Sequence, residues 1–172
     1  MLGTLAGPWR YAHLTALRAD PVNPAGLGMS KVCSEDSVRR AFAGAEAELV
    51  AQWQRKHLQR CWEPAVDQPW VLDIDTTTKS IYGPQEGAVV SYHPHKPGRP
   101  SHACLTYFLG RLPVVLDVEV HGGDEHAAGQ GLAGLWQWWD GLKPSQRPTL
   151  LRGDCSYGQE RPLAAGEARG QK

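Results

Sequence analysis

Residues 69–76 read PWVLDIDT, and this stretch decides the fold prediction. It is rich in β-forming side chains, so it predicts a strand. Side chains alternate along a strand, which puts Asp73 and Asp75 on one face and Leu72 and Ile74 on the other. An acid pair on an apolar strand has two explanations, and the pattern leaves both open. The acids either meet solvent or a nearby Arg or Lys, or they bind a metal ion.

The sequence after this strand alternates between strand and helix patterns. It predicts, in order, a strand at 87–92, a hairpin of 103–109 and 113–120 that turns at Gly110 and Arg111, a helix at about 125–141, a strand at 148–154 and a helix at 157–169. Strands that first pair antiparallel and then continue through a helix give a mixed sheet with helices packed on it. We therefore expect an α/β fold with an incomplete ribonuclease-H-like mixed sheet.

The sequence before this strand is predicted to be helical. A short helix at 10–19 ends at Pro21 and Pro24, and a second helix starts at the capping residue Ser34 and runs to about residue 60. Its apolar stripe is expected to consist of Val38, Phe42, Leu49, Trp53 and Leu58. We expect two domains, a helical region at 1–66 that contacts DNA and a sheet domain at 67–172.

The composition limits the class of protein. The chain has 172 residues and a formal net charge of zero, although region 1–66 carries 8 Lys/Arg against 6 Asp/Glu. No apolar run approaches the roughly 18 residues that cross a bilayer, and no secretory signal is recognisable. Scattered cysteines without a Cys-x-x-Cys pair are typical of a reducing cytoplasm. We expect a cytoplasmic protein without a membrane partner.

Asp75 and Asp154 each end a separate apolar strand. Magnesium prefers oxygen ligands, commonly one or two carboxylates together with phosphate oxygens and water. Two such ions promote phosphoryl transfer when acids from different strands converge on them. The pattern makes this pair a candidate metal site, but it does not establish that the two acids meet.

Four stretches resemble the DDE transposases of bacterial insertion sequences, which are cut-and-paste enzymes with a ribonuclease-H-like catalytic domain. They are LDIDTT at 72–77, IYGPQEGA at 81–88, SYHPHKPGRPSH at 91–102 and RGDCSYG at 152–158. The segments around Asp20-Pro21 and Ser34-Glu35-Asp36 resemble the lead-in of that family. Where the family more often has Gly-Tyr-Asn-Pro, this chain has Ser91-Tyr92-His93-Pro94.

The resemblance implies roles for particular residues. Asp75 lies where the family has its first catalytic aspartate and Asp154 where it has the second. Both would hold Mg²⁺ or Mn²⁺ for nicking and strand transfer at transposon ends, and Asp73 would be a neighbour rather than a ligand. The implied partners are transposon-end DNA and a second transposase chain, either a copy of this one or a full-length enzyme, in a bacterial nucleoid.

The family's third acid lies on a helix well beyond the second aspartate. Glu160 and Glu167 follow Asp154 too closely and are expected to be solvated helix acids. The region 67–172 is therefore expected to be a truncated DDE domain that is inactive by itself. The alternatives are a DNA-binding or inhibitory transposase fragment, a decayed relic, and an unrelated two-carboxylate nuclease.

Three further groups of residues have competing explanations. Lys96 and Arg99 in the Pro-rich loop are candidate DNA contacts. The same residues are equally consistent with a rigid surface turn, because proline and glycine dominate the loop. His93, His95 and His102 are better explained as ordinary loop histidines than as zinc ligands. In the helix at 125–141, the face of Leu132, Leu135, Trp136 and Trp139 favours core packing over a base-stacking surface.

Overall fold

The computed structural model describes residues 10–91, 96–112, 114–124 and 131–171. The predictions that concern His93, His95 and the first part of the helix at 125–141 lie outside these residues. The chain divides into two compact units, one up to Gln52 and one from Trp53 onward. No helix among the described residues has the length and apolar character needed to cross a bilayer.

The N-terminal unit is helical, as predicted. It contains helices α1 (Ala12–Ala19), α2 (Val22–Gly26), α3 (Glu35–Ala43) and the first part of α4 (Ala47–Trp62). The predicted cap of α3 is confirmed, because the Ser34 hydroxyl accepts a hydrogen bond from the Ser37 amide at 3.2 Å. The predicted helix at 10–19 is confirmed, because α1 ends at Ala19 and Asp20 is extended. Pro24 lies inside the first turn of the next helix, α2, where proline removes no intrahelical bond.

The single helix predicted from Ser34 to about residue 60 is instead two helices. Gly44 follows α3, and its amide donates to the Arg40 carbonyl at 3.0 Å, so the helix closes there before α4 begins. The predicted apolar stripe is also wrong for Phe42, Leu49 and Trp53, which are all exposed. A break in a helix resets the angular position of every later side chain, so one stripe cannot continue across it.

The second unit is built on a five-stranded mixed sheet. Its strands are β1 (Val71–Ser80), β2 (Val89–Val90), β3 (Pro100–Leu109), β4 (Val114–Gly122) and β5 (Leu150–Arg152). Strand β3 pairs antiparallel with β1, β2 and β4, and β1 pairs parallel with β5. The predicted mixed α/β class is confirmed, and the arrangement is compatible with a ribonuclease-H-like fold.

The core lies on one face of the sheet. Alternate residues of β3 from Ser101 to Leu109 are buried, and the face of Leu132, Leu135, Trp136 and Trp139 on helix α5 (Gly131–Asp140) is buried as predicted. Trp138 also contacts the rings of Trp62, Trp70 and Tyr107, at centroid distances of 6.0, 6.5 and 6.2 Å. Burying large apolar side chains contributes about 1.5–3 kcal/mol each, so this face dominates the stability of the unit.

Candidate carboxylate site

Strand β1 presents its two acids on the face opposite the core. Leu72 and Ile74 are buried with the helices, whereas Asp73 is half-buried and Asp75 is exposed. This is the alternation that the sequence predicted.

Asp73 is paired with an arginine. Arg152 of β5 donates Nε–H to Oδ1 and Nη2–H to Oδ2 of Asp73, both at 2.6 Å. The register of the parallel pair explains this contact, because Asp73 and Arg152 are direct partners across β1 and β5. The guanidinium balances the negative charge of Asp73, so this carboxylate attracts a metal cation less than an unpaired one does, which supports the interpretation of Asp73 as a neighbour rather than a ligand.

The same register, continued past its last pair, predicts that Asp154 lies beside Asp75. Two residues beyond the Asp73–Arg152 pair, β1 has reached Asp75 and the other chain segment has reached Asp154. The backbone of Asp154 is still extended, with φ −72° and ψ −178°. Gly153 lies against Ile74, since a Cβ added to it would be 3.0 Å from Ile74 Cγ1. The chain therefore follows β1 past the end of β5 and delivers Asp154 to the Asp75 end of the pair.

Asp154 is held by the short turn that follows it. Its Oδ1 accepts hydrogen bonds from the Ser156 amide at 2.9 Å and the Ser156 hydroxyl at 2.5 Å. Oδ1 is thereby oriented by its own turn, as Asp commonly is where a chain reverses. Among the described residues, neither Asp75 nor Asp154 takes part in an ion pair.

The hydroxyl of Tyr157 joins the two segments that carry the acids, because it lies 2.5 Å from Oγ1 of Thr76. Burial raises the pKa of this phenol, the hydrogen bond with Thr76 lowers it, and the charges of Asp154, Asp75 and Glu119 raise it further. The β1–β5 register and the Tyr157–Thr76 contact therefore place the segments that carry Asp75 and Asp154 side by side.

The donor set fits a hard divalent cation in part. Both groups are exposed carboxylates, which are the ligands that Mg²⁺ and Mn²⁺ prefer. Within the described ranges, no three or more His, Cys, Asp or Glu side chains form a metal-binding group. Glu160 and Glu167 lie at the two ends of helix α6 (Glu160–Glu167) and are exposed. Two acids suit an ion that takes its other ligands from phosphate and water.

A second cluster combines one aromatic ring and two cations. The guanidinium carbon of Arg99 lies 4.6 Å from the ring centroid of Tyr82, and Lys96 Nζ lies 4.9 Å from it. Lys96 also donates a hydrogen bond to the Tyr82 hydroxyl, and this contact is the main cause that lowers the pKa of the phenol. Tyr82 itself is 63% exposed. We call Tyr82, Lys96 and Arg99 the cationic cluster.

Sequence reasoning selected Lys96 and Arg99 but missed Tyr82, and it also missed Thr76 and Tyr157. The signal for Tyr82 was present, since an aromatic residue followed by Gly83-Pro84 predicts an exposed turn. The Thr76–Tyr157 contact spans 81 positions and has no local signature. His102 is a strand residue whose Nδ1 lies 3.3 Å from the His121 carbonyl, so it has a structural partner.

Comparison with known proteins gives little further help. No protein-family model matches the sequence, and no curated protein matches it. Two crystal structures show a distant similarity, the Mos1 strand transfer complex (12% identity, TM-score 0.38) and the Mos1 mariner paired end complex with Mn (14% identity, TM-score 0.39). Each match covers 95% of this chain but only 57% and 58% of the Mos1 chains. TM-scores this low do not establish a common fold.

Proposed function

We propose that this chain supplies two acids of a divalent-metal site for DNA phosphoryl transfer, as in the DDE transposases of bacterial insertion sequences. The observation that carries the proposal is the shared register of β1 and β5. The register pairs Asp73 with Arg152, and its continuation by two residues supports a position of Asp154 beside Asp75. The sequence resemblance at 72–77 and 152–158 supports the same residues.

Asp75 and Asp154 would hold the metal ion in this proposal. Bound Mg²⁺ supplies activation of an attacking oxygen and stabilisation of a leaving oxygen at phosphorus. Ser156 orients Oδ1 of Asp154 by donating a hydrogen bond to it. Asp73 pairs with Arg152, which keeps this arginine away from Asp75 and Asp154. Because the described residues offer two acids, we expect weak or undetectable nicking by this chain alone.

The cationic cluster is the proposed DNA contact. Arg99 forms no ion pair with a described carboxylate, and it shares the Tyr82 ring with Lys96. Two cations held together at a surface attract a phosphate group, and arginine binds phosphate through two parallel hydrogen bonds.

Mn²⁺ binding tests the metal site. It is measured by titration calorimetry or from the electron paramagnetic resonance signal of the free ion. We expect the wild-type chain to bind Mn²⁺ and both Asp75→Asn and Asp154→Asn to weaken binding by at least about tenfold, since each removes a charged ligand. Asp140→Asn is the matched control, because it removes an exposed acid that pairs with Arg169 instead. Equal binding by all four proteins would refute the proposal.

Incubation with supercoiled plasmid and Mg²⁺ or Mn²⁺ tests the expected weakness of nicking. Robust nicking that both Asp75→Ala and Asp154→Ala abolish would show that two acids suffice. DNA binding without nicking would favour a second candidate function, a DNA-binding or inhibitory transposase fragment. The observation that favours this second candidate is the cationic cluster, whose three residues include neither acid.

A further inference from the structure

We propose that Tyr157 is a positioning residue that fixes the Asp154 turn onto β1 and so sets the relation between Asp154 and Asp75. The expected effect on metal binding rests on the proposed function. The contacts that position the turn do not depend on that function. Tyr157 touches neither a substrate nor a metal ion in this scheme and acts only through Asp154.

The central contact joins the neighbours of the two acids. The Tyr157 hydroxyl lies 2.5 Å from Thr76 Oγ1. Thr76 directly follows Asp75 in the chain, and Tyr157 lies three residues after Asp154. A hydrogen bond between these two side chains therefore couples the strand position of Asp75 to the turn that carries Asp154.

The tyrosine ring packs against the same turn from the apolar core. Tyr157 is 8% exposed and belongs to the apolar core, together with Ile74. Gly153 lies so close to this ring that a Cβ at position 153 would be 2.8 Å from Tyr157 Cδ2. The backbone just before Asp154 thus rests on the ring, and glycine at 153 permits that approach.

The turn itself is rigid enough to transmit this constraint. The Tyr157 amide donates to the Asp154 carbonyl at 3.1 Å, and the Ser156 amide donates to Asp154 Oδ1 at 2.9 Å. When the ring and hydroxyl of Tyr157 are fixed, the carboxylate three residues earlier is fixed with them.

A neutral hydroxyl suits this role better than a charged side chain would. Lysine or arginine at position 157 would pair with Asp75 or Asp154 and compete with a metal cation for them. A protonated phenol holds the turn by one hydrogen bond and leaves both negative charges available. An ordinary tyrosine phenol has a pKa of about 10, so it is protonated at neutral pH.

The experiment compares four single variants of the full chain and one double variant, Tyr157→Phe/Thr76→Val. Tyr157→Phe and Thr76→Val each remove the hydroxyl contact, Thr76→Ser keeps a hydroxyl, and Thr149→Val is the matched control. Thr149 is also a threonine of the sheet unit whose hydroxyl forms a hydrogen bond, but it donates to the Trp70 carbonyl at 2.9 Å. Two readouts are needed, the amide hydrogen exchange of Ser156 and Tyr157 by NMR, and the affinity for Mn²⁺ alone.

We expect Tyr157→Phe and Thr76→Val to accelerate exchange at both amides by about three- to tenfold, as for the loss of one net hydrogen bond. They should weaken Mn²⁺ binding by a similar factor, with no further loss in the double variant. Thr76→Ser should restore both values, and Thr149→Val should change neither. Unchanged amide exchange in Tyr157→Phe, or an equal change in Thr149→Val, would overturn the positioning role.

The amide readout separates this inference from the proposed function. If the amides respond as expected but the wild-type chain binds no Mn²⁺, the positioning role stands and the metal proposal fails. If Mn²⁺ binds through Asp75 and Asp154 but the amides do not respond to Tyr157→Phe, the metal proposal stands and the positioning role fails.

Discussion

Asp117 is an acid placed inside an otherwise apolar part of the sheet unit. It is 1% exposed, and its Oδ2 accepts a hydrogen bond from Arg55 Nε at 3.0 Å while Oδ1 accepts from the Val118 amide at 2.9 Å. Burial raises the pKa of Asp117 in spite of the lowering by the amide and by Arg55. The ion pair therefore offsets only part of the cost of burying the charge.

The raised pKa makes a prediction about stability and pH. A carboxyl group whose folded pKa exceeds its unfolded value of 3.8 contributes stability below that value, and the contribution is lost as the pH rises through the folded pKa. Asn lacks this titration, so the stability of Asp117→Asn relative to wild type should rise as the pH increases from below 4 to 7. Urea unfolding at several pH values measures the difference.

Asp140→Asn is the control with the opposite sign. The hydrogen bond from Arg169 lowers the pKa of Asp140, so its contribution is present above pH 3.8 and is lost as the pH falls through the folded pKa. Parallel pH profiles for wild type and Asp117→Asn would contradict the prediction.

At the scale of elements, the sheet was easier to predict than the helices. The period-2 pattern of β1 and β3 locates these strands, because alternate residues face the core. Strand β4 departs from this pattern, because its adjacent residues Leu116 and Asp117 are both buried where the register shifts. The end of α3 at Gly44 is a weak signal, since glycine is tolerated inside helices at about 1 kcal/mol. Strand ends indicated Asp75 and Asp154 as a pair, but the prediction that Asp75 ends its strand is wrong, because β1 continues to Ser80. The Tyr157–Thr76 contact depends on tertiary structure alone, so no local pattern reveals it.

Helix α4 has two tryptophans with opposite environments, which gives a matched test of its packing. Trp62 is 4% exposed and contacts Trp138, whereas Trp53 is 56% exposed and contacts His57. We expect Trp62→Ala to lower the free energy of unfolding by about 3–5 kcal/mol, as for other buried aromatic residues. Trp53→Ala should change it by no more than about 0.5 kcal/mol. Chemical denaturation measures both, and similar losses would mean that α4 packs differently.

At the scale of the whole molecule, a net charge of zero means that DNA affinity must come from local clusters of cations. We expect the double variant Lys96→Ala/Arg99→Ala to weaken DNA binding and to reduce the slope of log affinity against log salt by about two, one for each lost phosphate contact. Gel-shift assays over a salt series measure the slope. The matched control is Lys143→Ala/Arg161→Ala, which removes two exposed cations elsewhere. Equal slopes for the two double variants would exclude the cluster as the contact.

The parallel pairing of β1 with β5 also determines when the acid pair assembles. Asp73 and Arg152 are neighbours in the sheet but 79 positions apart in the chain, whereas β3 and β4 are joined by a short turn. Closing a long loop costs more entropy than closing a hairpin, so non-local strand pairs form late during folding. A folding intermediate with β1, β3 and β4 in place would already carry Asp75 but would still lack Asp154 beside it. If Asp75 and Asp154 hold a metal ion as proposed, the metal site is therefore complete only once β5 has paired with β1.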